Sequence, residues 1–169
     1  MQFVDNVKLK GHVCVRVLDA VSGAELYREE KSNLVCIGAR QAITRLISQA
    51  TTPDDYEETK IWAIYAGTGS TSPDVNDTTL DVVAFKKACD QPFSVNLSTG
   101  EIECQMTIES GEGNGYTYQE IGLFSRGNND DPTAVGITGV LMYARQLHGQ
   151  LEKTSSISIE YTWRFQILS

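Results

Sequence analysis

The amino-acid sequence predicts a mainly β (α+β) fold, an antiparallel β-sandwich-like domain with one amphipathic helix packed on a sheet. Three observations lead there. About seven or eight segments alternate apolar and polar residues with the period of a strand. One segment, Gly38–Ala50, instead repeats its apolar residues with the period of a helix. Turns rich in glycine and asparagine separate the segments, with no internal repeat and no low-complexity linker. The 169 residues are therefore expected to form one domain, 1–169, with a hairpin at 11–30, the helix at 38–50 and the main sheet strands within 61–168.

The hairpin is written in Val13, Val15 and Val17, which alternate with Cys14, Arg16 and Leu18 before the turn from Asp19 to Gly23. Ala24–Glu30 returns antiparallel. In the helix, Ala39, Ala42, Ile43, Leu46, Ile47 and Ala50 share one face; Arg40, Gln41, Thr44, Arg45, Ser48 and Gln49 take the other. Pro53 sets its end near Thr51 and Thr52, because the residue before proline is driven out of helical backbone angles. A charged loop, Asp54–Lys60, follows.

The chain is arranged around the next stretch, from Ile61 to Ala66. Both alternating faces are apolar, Ile61/Ala63/Tyr65 and Trp62/Ile64/Ala66, the pattern of a strand covered on both sides. It leaves through Gly67 and Gly69, where missing Cβ atoms permit a sharp turn or close backbone approach. Thr78–Lys87 fits a short helix and a strand entrance equally well. Phe93, Val95 and Leu97 then alternate with Ser94 and Asn96, and Ser98–Gly100 turns into Glu101–Ile108. There Ile102, Cys104, Met106 and Ile108 point one way and Glu101, Glu103, Gln105 and Thr107 the other, a hairpin with one wet face. Ser110–Gly115 connects to a strand at Tyr116–Phe124. Ser125–Gly139 is a long polar excursion, and Val140–Leu147 is strand-like again. The last strand places Ile157, Ile159, Tyr161, Trp163, Phe165 and Ile167 on one face. Burying such a face contributes on the order of 10 kcal/mol gross, which makes this strand integral to the core.

Composition and motifs narrow the function. A formal charge of −8 with no basic run argues against a nucleic-acid partner. No apolar run approaches the ~18–20 residues that span a bilayer, and Met1–Lys8 lacks the pattern of a secretory signal. No membrane partner is expected. Cys14, Cys36, Cys89 and Cys104 lie far apart without a Cys-x-x-Cys pair, so neither a zinc site nor a redox motif is expected. Four reduced structural cysteines are the expectation, with a disulfide pair left open. Gly67 and Gly69 lack the third glycine of a dinucleotide fingerprint and the Gly-Lys-Ser/Thr of a phosphate loop. Asp74–Thr78 gathers oxygen ligands without the glycine and distal glutamate of a calcium loop, and is expected to bond its own backbone. His12 and His148 are the only histidines, neither in a nucleophile setting. Glu101 and Glu103 read as a solvated pair. No catalytic residue, cofactor or metal is expected, and the chain reads as a non-enzyme. The candidate partner contacts are then two polar loops: Ser70, Thr71, Asp74, Asn76 and Asp77 in one, Arg126, Asn128, Asn129 and Asp130 in the other.

Several short motifs remain. Asn33-Leu34-Val35 leads into the glycine-initiated helix. The central strand ends in Ala66-Gly67-Thr68-Gly69, followed by Pro73 and Asp77-Thr78-Thr79-Leu80. Glu120-Ile121-Gly122-Leu123-Phe124 then precedes Leu141-Met142-Tyr143-Ala144-Arg145. In this order and spacing, over roughly Asn33 to Arg145, the chain resembles the N-terminal domains of bacteriophage tail-collar fibre proteins and related tail-fibre or baseplate-attachment proteins. The resemblance implies a non-enzymatic attachment module of the virion, synthesised in the host cytoplasm. It also implies a homo-oligomer, commonly a trimer, joined to other phage tail, baseplate or fibre proteins. In that family a shaft and a receptor-binding tip follow. This sequence ends at Ser169 within its last strand and has no collagen-like, heptad or β-helical segment, so a short fibre or adaptor is expected in place of direct receptor binding. The motif residues are expected to shape the fold more than to touch a partner. Two rival readings stand beside this: a carbohydrate-binding β-sandwich with Tyr116, Tyr118 and Tyr143 as its aromatic platform, and a hydrolase using His12 or His148.

Overall fold

The alternating segments become one antiparallel sheet. A computed structural model describes residues 8–48, 57–91 and 93–168. The strands are β1 (Lys8–Asp19), β2 (Glu25–Val35), β3 (Ile61–Gly67), β4 (Val83–Ala88), β5 (Ser94–Asn96), β6 (Glu101–Ile108), β7 (Thr117–Ser125), β8 (Met142–Glu152) and β9 (Ile157–Leu168), with the helix α1 (Ile37–Ser48) between β2 and β3. They lie in the order β4-β3-β7-β8-β2-β1-β9-β6-β5.

The sheet curls because β2 serves both halves. From Glu25 to Asn33 it pairs with β1 alone, and only Leu34 and Val35 pair with β8, opposite Arg145 and Ala144. Where β2 and β8 diverge, side chains replace the ladder: Lys31 Nζ donates to Leu147 O, Gln146 Nε2 to Ser32 O, and Gly149 N to Glu29 Oε2. The curl folds the halves across one apolar core, with Val13 and Val15 from β1, Ile64 from β3, Met106 from β6, Leu123 from β7 and Trp163 from β9. This is the sandwich-like, mainly β arrangement that the alternation predicts, built from a continuous sheet.

Local chemistry explains the elements. Asp19 Oδ1 accepts hydrogen bonds from Val21 N and Ser22 N, and Gly23 takes a positive φ of 70°, which closes the first hairpin. The hairpin strands run longer than 11–30, because β1 is extended by pairing with β9 from Lys8↔Leu168 to Asp19↔Ile157. α1 opens at Ile37, whose N–H bonds to Val75 O at 2.7 Å. Ala39 and Ala42 are buried, whereas Leu46 is exposed at the rim of the sheet. The expected helix end at Gln49 and Ala50, its proline stop and the loop from Asp54 to Tyr56 lie outside the described residues, as do Met1–Val7 and the side chain of Ile47. The stretch Thr78–Lys87, which periodicity left open, is loop to Val82 and strand from Val83.

β3 is covered on both sides, as its apolar faces require, but the faces differ from strict alternation. Ile61 pairs with Ser125 and Ala63 with Phe124, so Trp62 forms a bulge. Ile61 therefore joins the inner face with Ile64 and Ala66, and Trp62 the outer face with Ala63 and Tyr65. On that outer face Tyr65 stacks on Phe124 with ring centroids 4.0 Å apart, beside Cys36, Leu80 and Met142. Two loops, 68–82 and 126–140, supply the flanking Leu80 and Val140.

Candidate functional site

The centre of the molecule's polar chemistry lies beneath the first of these loops. Glu120 on β7 and Arg145 on β8 are both buried, and their side chains meet at 2.9 Å. Glu120 Oε1 accepts from Gly69 N at 2.8 Å and Val82 N at 2.9 Å; Oε2 accepts from Asp81 N at 3.1 Å. One carboxylate thus satisfies backbone donors at both ends of the loop 68–82, donors that would otherwise be left without partners. Arg145 reaches outward from the same point to Asp77 at 2.7 Å, Asp81 at 3.0 Å and Thr71 O at 3.1 Å. Its Nε has no hydrogen-bond partner. Hydrogen bonds from Thr71 hold the Asp81 carboxyl below the usual carboxylate range, aided by Arg145 and opposed by partial burial. Burial works to lower the Arg145 guanidinium, and its hydrogen bonds to Asp77 and Asp81 with the charge of Glu120 outweigh that and raise it.

Two glycines make the approach of Glu120 sterically feasible. A Cβ on Gly67 would lie 2.5 Å from Glu120 Oε1, and one on Gly69 would lie 2.4 Å from it. Gly38 plays the same part for the helix, since its Cβ would lie 2.3 Å from Met142 O. The motifs at residues 67–69, 77–80, 120–124 and 141–145 therefore meet around one buried ion pair.

The predicted contact residues divide. Ser70, Thr71, Asp74 and Asn76 are exposed, and Asp74 Oδ1 accepts from Asn76 N while Asp74 N donates to Asp77 Oδ2. The loop bonds its own backbone, as expected of its Asp and Asn residues. Asp77 faces inward, toward Arg145. In the second loop Asn128, Asn129 and Asp130 are exposed and Arg126 is half-buried, paired with Asp130. Asn128 closes this loop by exchanging hydrogen bonds with Thr138, and Trp62 Nε1 donates to Asp130 O at 2.8 Å. Both loops rest on the outer face of β3 and its neighbours, and at the start of α1 Asp77 and Val140 line one small cleft.

Compared with protein-family models, with curated proteins and with solved structures, the chain gives no match.

Other titratable groups are held in the fold. His148 is buried; its Nδ1–H donates to Gly149 O at 2.7 Å, which leaves Nε2 to accept from Tyr161 at 3.3 Å. Burial pulls the imidazole down to about 4, so the ring is neutral at physiological pH. Lys153 is buried and donates to Asn114 Oδ1 and Thr154 O, each at 2.9 Å, and to Ser110 O at 3.4 Å. Neither role was foreseen from the sequence, because both depend on which loop folds over each side chain. Of the aromatic platform, Tyr118 and Tyr143 are buried, with hydroxyls bonded to Gly113 O and Thr59 O; Tyr116 alone of the three is exposed. Among the described residues no group of three or more His, Cys, Asp or Glu is placed to hold a metal ion, and no helix is long and apolar enough to cross a membrane.

An apolar cleft of about 450 Å³ opens where α1, β5, β6 and β9 meet, lined by Ala42, Leu46, Trp62, Phe93, Ile102 and Phe165 among others. Leu46, Val95 and Ile167 stand exposed around it.

Proposed function

We propose that this chain is a structural attachment module of a bacteriophage tail, a short fibre or a fibre–baseplate adaptor. It acts by protein–protein assembly, without catalysis. The reading rests on the ordered motifs between Asn33 and Arg145. What supports it in the fold is one observation: those motifs, distant in sequence, converge on the Glu120–Arg145 pair and fix the loop 68–82 onto the sheet. A loop fastened at both ends presents Ser70, Thr71, Asp74 and Asn76 in a defined shape, which lowers the ordering cost of binding. The second loop, with Asn128–Asp130, is tied by its own hydrogen bonds at the other end of β3, beside Trp62.

The carbohydrate-binding alternative keeps only Tyr116 of its three aromatic residues at the surface, too little for a stacking platform. The hydrolase alternative loses His148, which is enclosed between Gly149 O and Tyr161, and keeps only the half-buried His12 on β1.

Co-purification tests the proposal. The chain should form a stoichiometric complex with a tail or baseplate protein encoded by a neighbouring gene, and Asn128→Ala with Asp130→Ala should weaken that complex. Failure to bind any such protein, together with saturable binding on a glycan array, would replace this reading with the carbohydrate one.

A further inference from the structure

The seam at which the curled sheet closes is open at one end. Cys89 N donates to Trp62 O of β3 at 2.8 Å and Asp90 N to Gln105 O of β6 at 2.7 Å, so the chain beyond β4 bridges β3 and β6 as far as Asp90. It then enters β5, which pairs with β6 from Ser94↔Glu103 to Asn96↔Glu101 and is the last strand in the sheet order. Among the described residues no strand pairs with the other edge of β5. Between that edge and the start of β3 lies the apolar cleft of about 450 Å³. Phe93 to Leu97 include neither a charged residue nor a proline, the usual protection of an open edge, and Val95 and Leu97 are exposed. The two faces of this edge differ. Val95 and Phe93 line the apolar cleft, with Ile102 and Ile167 beside them. Ser94 lines a second cleft, of about 220 Å³, with Asp90, Glu103 and Gln105. Arg164 neutralises Glu103 at 2.6 Å, whereas Asp90 has no ion pair among the described residues.

We propose that the open edge of β5 is a strand-addition site, which takes an extended segment of a partner protein whose apolar side chains alternate with lysine or arginine. An extended segment laid along the edge bonds to it through main-chain groups and turns successive side chains to opposite faces. One set of side chains then enters the apolar cleft beside Val95, and the other meets the acidic cleft beside Ser94 and Asp90. Charge selects the second set. Asp90 lacks a cation, and a formal charge of −8 on the chain attracts a basic segment and repels an acidic one. The main-chain bonds hold any extended segment; the two unlike clefts choose the alternating one. The site uses none of the loop residues proposed above as contacts and does not depend on a tail function.

The test titrates the whole chain with a short synthetic peptide that alternates valine and lysine. Two controls accompany it: valine alternating with glutamate, and the same valines and lysines in separate blocks. The expected result is saturable one-to-one binding of the first peptide alone, with slowed amide exchange concentrated in residues 93–97. Val95→Lys, which sets a cation on the edge itself, should abolish the binding. Asp90→Asn should weaken it, whereas Asp131→Asn, the same loss of charge in another loop, should not. All three positions are exposed, so these variants keep the fold. Equal binding of the block peptide, or protection spread beyond 93–97, would mean general attraction of cations to an acidic chain and would overturn the proposal. Absence of binding would overturn it too. So would protection of 93–97 that rises with protein concentration in the absence of peptide, which would give the edge to a second copy of the chain.

Discussion

Arg145 and Glu120, 25 residues apart in sequence and on adjacent strands, meet as a buried ion pair at 2.9 Å from which the loop 68–82 is hung. The pair alone is weak grounds for stability, since desolvation offsets much of its attraction. Its worth lies in the backbone donors of Gly69, Asp81 and Val82, which have Glu120 as their acceptor.

Removing that acceptor should therefore be severe. Glu120→Ala is expected to lower unfolding free energy by about 3–5 kcal/mol, the usual cost of breaking a buried pair. Glu120→Gln keeps an acceptor oxygen and should cost less, about 1–3 kcal/mol. Urea denaturation of the two variants measures both. A loss under about 1 kcal/mol for the alanine variant would mean that the carboxylate does not fasten the loop.

Glycines near and far from this carboxylate should respond oppositely. Gly69→Ala drives a methyl to 2.4 Å from Glu120 Oε1 and Asp81 Cβ and is expected to cost about 1–3 kcal/mol. Gly111 has open space around its added Cβ, so Gly111→Ala should be neutral or stabilising by about 0.4–1 kcal/mol. Equal thermal midpoints for the two variants would refute the steric account.

His148 makes stability depend on mild acid. Its folded value of about 4 lies below the unfolded 6.5, so between these the unfolded chain binds more protons. The contribution is complete above pH 6.5 and declines as pH falls toward 4, by up to about 3 kcal/mol. Below that, Glu29 adds a second decline, because hydrogen bonds from Gly149, Lys31 and Tyr27 outweigh its partial burial and hold it at about 2. Chemical denaturation across pH 7 to 4.5 should show the first slope in the wild type and its absence in His148→Gln. An unchanged slope in the variant would exclude the imidazole as its source.

Lys153 secures the loop 110–115. Lys153→Met leaves Asn114 Oδ1 without its donor and takes one of two donors from each of the carbonyls of Ser110 and Thr154, which keep Asn114 Nδ2 and Ile157 N. The expected loss is about 1–3 kcal/mol, with faster amide exchange concentrated in 110–115. Uniform exchange across the chain would indicate a global effect instead.

Local pattern carried most of the fold into view. The valine alternation of β1, the wet-and-dry faces of β6 and the apolar face of β9 each require only neighbouring residues, and each is a strand with the expected face inward. The two-sided burial of β3 was legible for the same reason. Its bulge at Trp62 was not, because a bulge is set by the partner strand. Glu120 and Arg145 were legible as members of motifs, whereas their contact was not. Residues so far apart meet only once β7 and β8 pair, in the register that sets Gly122 opposite Arg145. Asp77 illustrates the limit well: an acid in a polar loop reads as a surface contact, and an inward arginine turns it into the rim of a buried cluster.

The central claim is assembly, and mass in solution addresses it most directly. Light scattering of the purified chain at two concentrations should give three times the mass of one chain at both, the closed ring expected of a tail component that follows the symmetry of its tail. A single-chain mass at both concentrations would contradict a self-assembling module.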